Sequence, residues 1–154
     1  MLTALAFLHE KSVIHQDVRP GNILVHPWPI HVSLSDFSHC TISGDAFVGR
    51  PWSEQAAAHV TYTAPELLMG CRCIDESVDM WSCGLVMLRL YMEAPIMNET
   101  TSRGVVRVLL KMLGNPSSGV GGGIAPCCCW RGMYGCVEDE DALLLLCLSA
   151  LSSR

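Results

Sequence analysis

His15-Gln16-Asp17-Val18-Arg19-Pro20-Gly21-Asn22, then Ile23-Leu24-Val25, a Pro27-Trp28-Pro29 break, Ile30-His31-Val32-Ser33-Leu34-Ser35 and Asp36-Phe37-Ser38, is the stretch that decides how this chain folds. The two apolar runs read as strands, the second with period-two alternation, and the Pro-Trp-Pro interruption turns the chain between them. Folding back there sets Asn22 beside Asp36 at the open end of a hairpin. An amide oxygen and a carboxylate in that place suit Mg²⁺, a hard cation that takes few protein ligands and completes its shell with phosphates and water. Asp17 adds a candidate base. The layout is that of a phosphate-transfer site held between loops.

Outward from this stretch the pattern is mostly helical. Leu2, Leu5 and Leu8 recur at helical spacing over residues 2–12, ended by the β-branched pair Val13-Ile14. Residues 39–60 mix Gly44, Gly49 and Pro51 with Ser and Thr and read as a long loop. Pro65 opens a short helix at a position where its missing N–H costs nothing. Ser77 is the expected cap of the next helix, with Asp75 and Glu76 near its positive end. Residues 78–92 are apolar nearly all round, as in a helix buried on every side. A further amphipathic helix is expected over 104–113, and Gly121-Gly122-Gly123 reads as a flexible linker.

These segments resemble protein kinases, whose catalytic and magnesium loops are written HRDLKPxN and DFG. Four landmarks support the resemblance in family order. Leu5-Ala6-Phe7-Leu8-His9 before Val13-Ile14-His15 resembles the helix leading into the catalytic loop. Tyr62-Thr63-Ala64-Pro65-Glu66 resembles the end of the activation segment, and Asp79-Met80-Trp81-Ser82-Cys83-Gly84 the DxWxxG start of a central helix. Asp141-Ala142-Leu143-Leu144 through Arg154 resembles a late helix whose arginine pairs with Glu66. Leu113-Gly114-Asn115-Pro116-Ser117 is similar to the LGTPS phrase of the cyclin-dependent and mitogen-activated group.

The resemblance implies a mainly α fold with a small β-hairpin: a protein-kinase-like C-terminal lobe with the N-terminal lobe absent. On that reading residues 1–113 are the large lobe, 114–138 a Gly/Cys-rich linker or insertion, and 139–154 a late helix truncated at its end. The 154 residues suffice for one ordinary core, about half of what the resemblance implies for a whole kinase domain. Asp17 would accept the proton of a substrate hydroxyl, Asn22 and Asp36 would hold Mg²⁺ on ATP, and Arg19, standing where the family has lysine, would keep a positive charge by the transferred phosphate. His15 is expected to pack rather than act as a base. Asp79 is expected to accept backbone hydrogen bonds from the catalytic loop. Arg19-Pro20 points to the serine/threonine branch.

Two function classes follow. One is a protein kinase transferring phosphate from ATP to Ser/Thr of a protein substrate, with turnover dependent on a small lobe that supplies the Gly-rich loop and the strand lysine. The alternative is a catalytically inactive, pseudokinase-like binding module. Gln16 in place of the arginine that grips a phosphorylated activation loop favours the alternative, as does Ser38 in place of glycine. A protein partner over the apolar face that a small lobe covers is also expected.

A formal net charge of −5 without a Lys/Arg cluster argues against a nucleic-acid-binding surface. The apolar runs around Cys83 to Met92 and Leu143 to Leu151 fall short of the ~20 residues that span a bilayer, so no membrane role is expected. The first residues lack a secretory signal pattern, which places the chain in the cytoplasm or nucleus with its nine cysteines reduced. Cys127-Cys128-Cys129, Cys136, Cys71 and Cys73 lack paired C-x₂-C spacing and read as structural or surface thiols rather than a zinc site.

Overall fold

The computed structural model describes residues 1–43, 59–68, 74–92 and 96–113. The expectations for residues 114–154, including the linker, the late helix, the Glu66–Arg154 pair and the cysteine cluster, lie outside the described residues. So do Cys71, Cys73 and residues 44–58 of the expected long loop.

Helix α1 (Leu2–Glu10) leads into a two-residue strand β1 (Val13–Ile14). After the catalytic-loop sequence and a 3₁₀ turn at Pro20–Asn22, strands β2 (Ile23–Pro27) and β3 (Ile30–Leu34) form the expected hairpin. Its register pairs Ile23 with Leu34, Leu24 with Ser33, Val25 with Val32, His26 with His31 and Pro27 with Ile30. A second 3₁₀ turn at Phe37–His39 precedes β4 (Thr41–Ile42), which returns to β1 with Val13 opposite Ile42 and Ile14 opposite Thr41. Three helices follow: α2 (Pro65–Leu68), α3 (Ser77–Met92) and α4 (Ser102–Leu113).

The expected fold class needs correction. In place of a mainly α fold with one small hairpin, the described residues combine four helices with two separate two-stranded antiparallel sheets. The β1–β4 sheet escapes a sequence reading for a physical reason: two-residue strands show no period, and their partners are distant along the chain.

Helix α3 is the axis of the core. Its Cys83 packs with Leu5 of α1 and Val18 of the catalytic loop. Its Val78 joins Ile14 of β1 with Ala64, just before α2, and Leu67 of α2. A third cluster of Val60, Met97, Val105 and Leu109 brings α4 against Trp81 and Leu85 of α3. Asp75 rather than Ser77 serves the start of α3: its Oδ1 accepts from the Ser77 backbone N–H at 3.0 Å and from the Ser77 hydroxyl. Thr101 caps α4, its Oγ1 accepting from Gly104 N–H at 3.1 Å. The expectation that residues 78–92 are buried on all sides also fails at one end, where Met87, Leu90 and Tyr91 face solvent.

Candidate active site

The His15–Asn22 loop hangs from one buried carboxylate. Asp79, in the first turn of α3 and fully buried, accepts from the backbone N–H of His15 at 2.8 Å and of Gln16 at 2.7 Å. Its Oδ2 also accepts from His9 Nε2 at 2.9 Å, which ties the end of α1 to the same point. Three donors on one ion compensate its desolvation, the condition under which a buried charge is tolerated. The loop is bent as well as hung: Gln16 has φ of 65°, and its Nε2 donates to Thr41 Oγ1 at 2.7 Å. Ser43 N–H donates to Ser12 O, extending the β1–β4 pairing that closes this end.

His15 is a wall of the site. Its Nδ1 accepts from Asp17 N–H at 3.3 Å, so Nε2 carries the ring proton and donates to the Ser35 carbonyl at 3.1 Å. With both nitrogens engaged and the side chain fully buried, it packs against Phe37 at 5.1 Å between ring centroids, as its packing role requires.

Asp17, Arg19 and Asn22 come together. Arg19 Nε donates to both Asp17 oxygens, at 3.1 and 3.0 Å. Asn22 Nδ2 donates to Asp17 Oδ2 at 2.6 Å and to the Asp17 carbonyl at 2.9 Å. The amide nitrogen is therefore committed to Asp17, and its oxygen is the end that can face a cation. Glycine at position 21 permits this pose, because a Cβ there would sit 2.6 Å from Arg19 Nη1. Asn22 is anchored in turn by its carbonyl, which accepts from Ser35 N–H at 2.9 Å and Ser35 Oγ at 3.1 Å.

That pairing sets the residue opposite Asn22 as Ser35, with Asp36 one step beyond. Asp36 is exposed in a left-handed conformation (φ 62°), and its Oδ1 accepts from Ser38 Oγ at 2.6 Å and Ser38 N–H at 3.3 Å. The Ser38 hydroxyl, then its backbone N–H, hold the Asp36 carboxyl below the usual carboxylate range. Asp36 and Asn22 thus present an ionised carboxylate and an amide oxygen, the hard donors that Mg²⁺ takes, and they fit that ion by donor type. Among the described residues no group of three or more His, Cys, Asp or Glu side chains converges as a metal site, so other oxygens would have to complete such a shell. Behind the loop, Cys40 Sγ donates to His15 O at 3.7 Å, and burial, followed by the charges of Asp79 and Asp36, pushes its thiol up to about 11.

The protein kinase domain family model matches residues 1–115. The chain belongs to the protein kinase family. It is 33% identical over 123 residues to cyclin-dependent kinase 20 of Danio rerio, covering 78% of this chain and 34% of that protein. It is 30% identical over 118 residues to cyclin-dependent kinase 1 of Encephalitozoon cuniculi, covering 77% and 38% respectively. This kinase chain therefore leans to the cyclin-dependent group and spans little more than a third of those relatives' lengths. Among solved structures it is similar to a chain of the CAK complex of Chaetomium thermophilum bound to ATP-γ-S, with TM-score 0.65, 25% identity, and coverage of 96% of this chain and 49% of that one. A chain of the yeast RNA Pol II CTD kinase CTDK-1 complex shares the fold at TM-score 0.64 and 18% identity, covering 94% and 51%.

The domain match, which runs from residue 1, together with the two sheets overturns the expectation of a mainly helical C-terminal lobe with the N-terminal lobe absent. Three residues that hold the candidate site together are not assigned by the sequence: His9, Ser35 and Thr41. The place of His9 in the last turn of α1, just before Val13-Ile14-His15, is the signal the sequence offers for it. Ser35 acts largely through its backbone, and Thr41 through a partner far along the chain, so neither leaves a local pattern.

Proposed function

We propose that this chain carries the catalytic-loop portion of a serine/threonine protein kinase that transfers phosphate from ATP to protein hydroxyls. The observation that carries the proposal is the Asp17–Arg19–Asn22 cluster, set by the hairpin next to Asp36. In this reading Asp17 orients the substrate hydroxyl and takes its proton, held in place by Asn22 Nδ2. Arg19 keeps positive charge at the transferred group. Asn22 and Asp36 would hold Mg²⁺, which supplies charge neutralisation on the ATP phosphates when bound. A protein partner is part of the proposal, because the similar CAK and CTDK-1 chains come from complexes. So is a cytoplasmic or nuclear location.

A second reading, a kinase-like binding module without transfer, draws on one observation: Asp36 already closes onto Ser38 at 2.6 Å. The test is Mg²⁺-dependent transfer of radiolabelled γ-phosphate from ATP to a Ser/Thr peptide library by the native protein, with Asp17→Asn and Asp36→Ala beside it. Transfer that falls by at least ~10²-fold in both variants supports the enzyme. No transfer by the native protein, with nucleotide-independent partner capture unchanged by either substitution, supports the binding module.

A further inference from the structure

We propose that the cross-strand pair His26 and His31, near the turn of the β2–β3 hairpin, chelates a divalent transition-metal ion of the imidazole-binding class, such as Ni²⁺ or Zn²⁺. The site is separate from the Asp17 cluster and does not depend on phosphoryl transfer. Three observations carry it.

The register places the two residues directly opposite each other, so their Cβ atoms leave the same face of the hairpin side by side. Their rings lie parallel, 7° between planes and 4.1 Å between centroids, and both side chains are exposed. Imidazole lone pairs lie in the ring planes, so an ion sits at the edge of the stacked pair rather than between its faces, and tilting the two exposed rings toward each other turns a nitrogen of each onto one ion at roughly 2.0–2.1 Å. The tautomer is also prepared. His31 Nδ1 lies 3.0 Å from the Pro29 carbonyl, which can only accept, so Nδ1 carries the proton and Nε2 presents its lone pair. A histidine ligand oriented by donating its other N–H to a backbone carbonyl is the arrangement of metal-binding imidazoles.

The two rings occupy two positions of the coordination shell, and water fills the others, since no third His, Cys, Asp or Glu joins them among the described residues. Imidazole donors select Ni²⁺, Cu²⁺ and Zn²⁺ over the oxygen-seeking Mg²⁺ expected at Asn22 and Asp36. One ligand from each strand makes the ion a clasp. Its effect is to hold the ladder from Val25–Val32 down to Ile23–Leu34, the pair next to Asn22 and Ser35.

The experiment uses Ni²⁺ alone as the probe, because its paramagnetism marks the histidines that bind it even where cysteines also take up metal. The full chain, with ¹⁵N-labelled histidine, is titrated while the ring signals of all six histidines are followed. The expected result is early broadening confined to His26 and His31, an affinity about 10-fold or more weaker in His26→Asn or His31→Asn, and slower amide exchange in β2 and β3 on adding metal. Both positions are exposed, so the variants fold. Broadening spread over the other histidines, or Ni²⁺ affinity unchanged in the double variant, overturns the proposal.

Discussion

The catalytic loop and the hairpin beside it are contiguous in sequence and opposite in construction. Around the loop, His15, Val18, Asn22 and Asp79 are buried, and nearly every polar group there has a named partner. In the hairpin, Val25, Trp28 and Ile30 are exposed at 66%, 90% and 78%, and the strands contact chiefly each other. A two-stranded ribbon is marginal alone, and this one is held at its base, where Ser35 bonds Asn22 and His15 bonds Ser35. Precision in the site therefore comes from the buried side, and the hairpin delivers Asp36 without having to be rigid at its tip.

The sharpest way to break this contrast is Asp79→Ala. It strands the N–H groups of His15 and Gln16 and removes the anchor of His9, so we expect a loss of about 3–5 kcal/mol in urea unfolding. Asp79→Asn should recover part of it. A loss under about 1 kcal/mol would mean the loop is held by other contacts. Next, Leu5→Ala opens a hole between Val18 and Cys83 and should cost about 2–5 kcal/mol, again in urea unfolding.

Cys40 tests the same buried side by pH. Its thiol, raised from 9.0 to about 11 chiefly by burial, stays protonated in the fold where the unfolded chain would already ionise. The associated stability is fully present below pH 9 and lost as pH rises toward 11. Alkylation of Cys40 at pH 9.5 should then be slower in the native protein than in urea, and equal rates would contradict the partial burial that raises its thiol. The smallest effect should come from the hairpin. Trp28→Ser with Ile30→Thr should shift stability by no more than ~0.5 kcal/mol while lowering the binding of an apolar dye. A large stability loss there would show that the hairpin surface is covered in solution.

The same contrast explains what could be read from the chain. The helices and the β2–β3 hairpin were legible because each carries a period over several residues, and the turn was marked by Pro27, Trp28 and Pro29. Of the expected Asp17, Asn22 and Asp36 set, Asp17 and Asn22 lie together with Arg19, while Ser35 rather than Asp36 bonds Asn22, and Asp79 accepts from two backbone N–H groups of the loop as expected. What was illegible lacked local pattern: the β1–β4 sheet, the Gln16–Thr41 bond, and Asp75 in place of Ser77 at the start of α3. The exposed end of α3 was misread because an apolar helix looks the same in sequence whether or not something covers it.

Asp79 also fixes an order of events. His15 and its anchor are 64 residues apart, so the His15–Asn22 loop waits for a helix far downstream. At a synthesis rate of about 5–20 residues per second, that wait is roughly 3 to 13 s on the ribosome. During it the backbone N–H groups of His15 and Gln16 have only water or transient partners. Closure of so long a loop is slow compared with forming α1 or the hairpin. Local structure would then come first and the geometry of the candidate site last, which makes this site a report that the distant helix has docked.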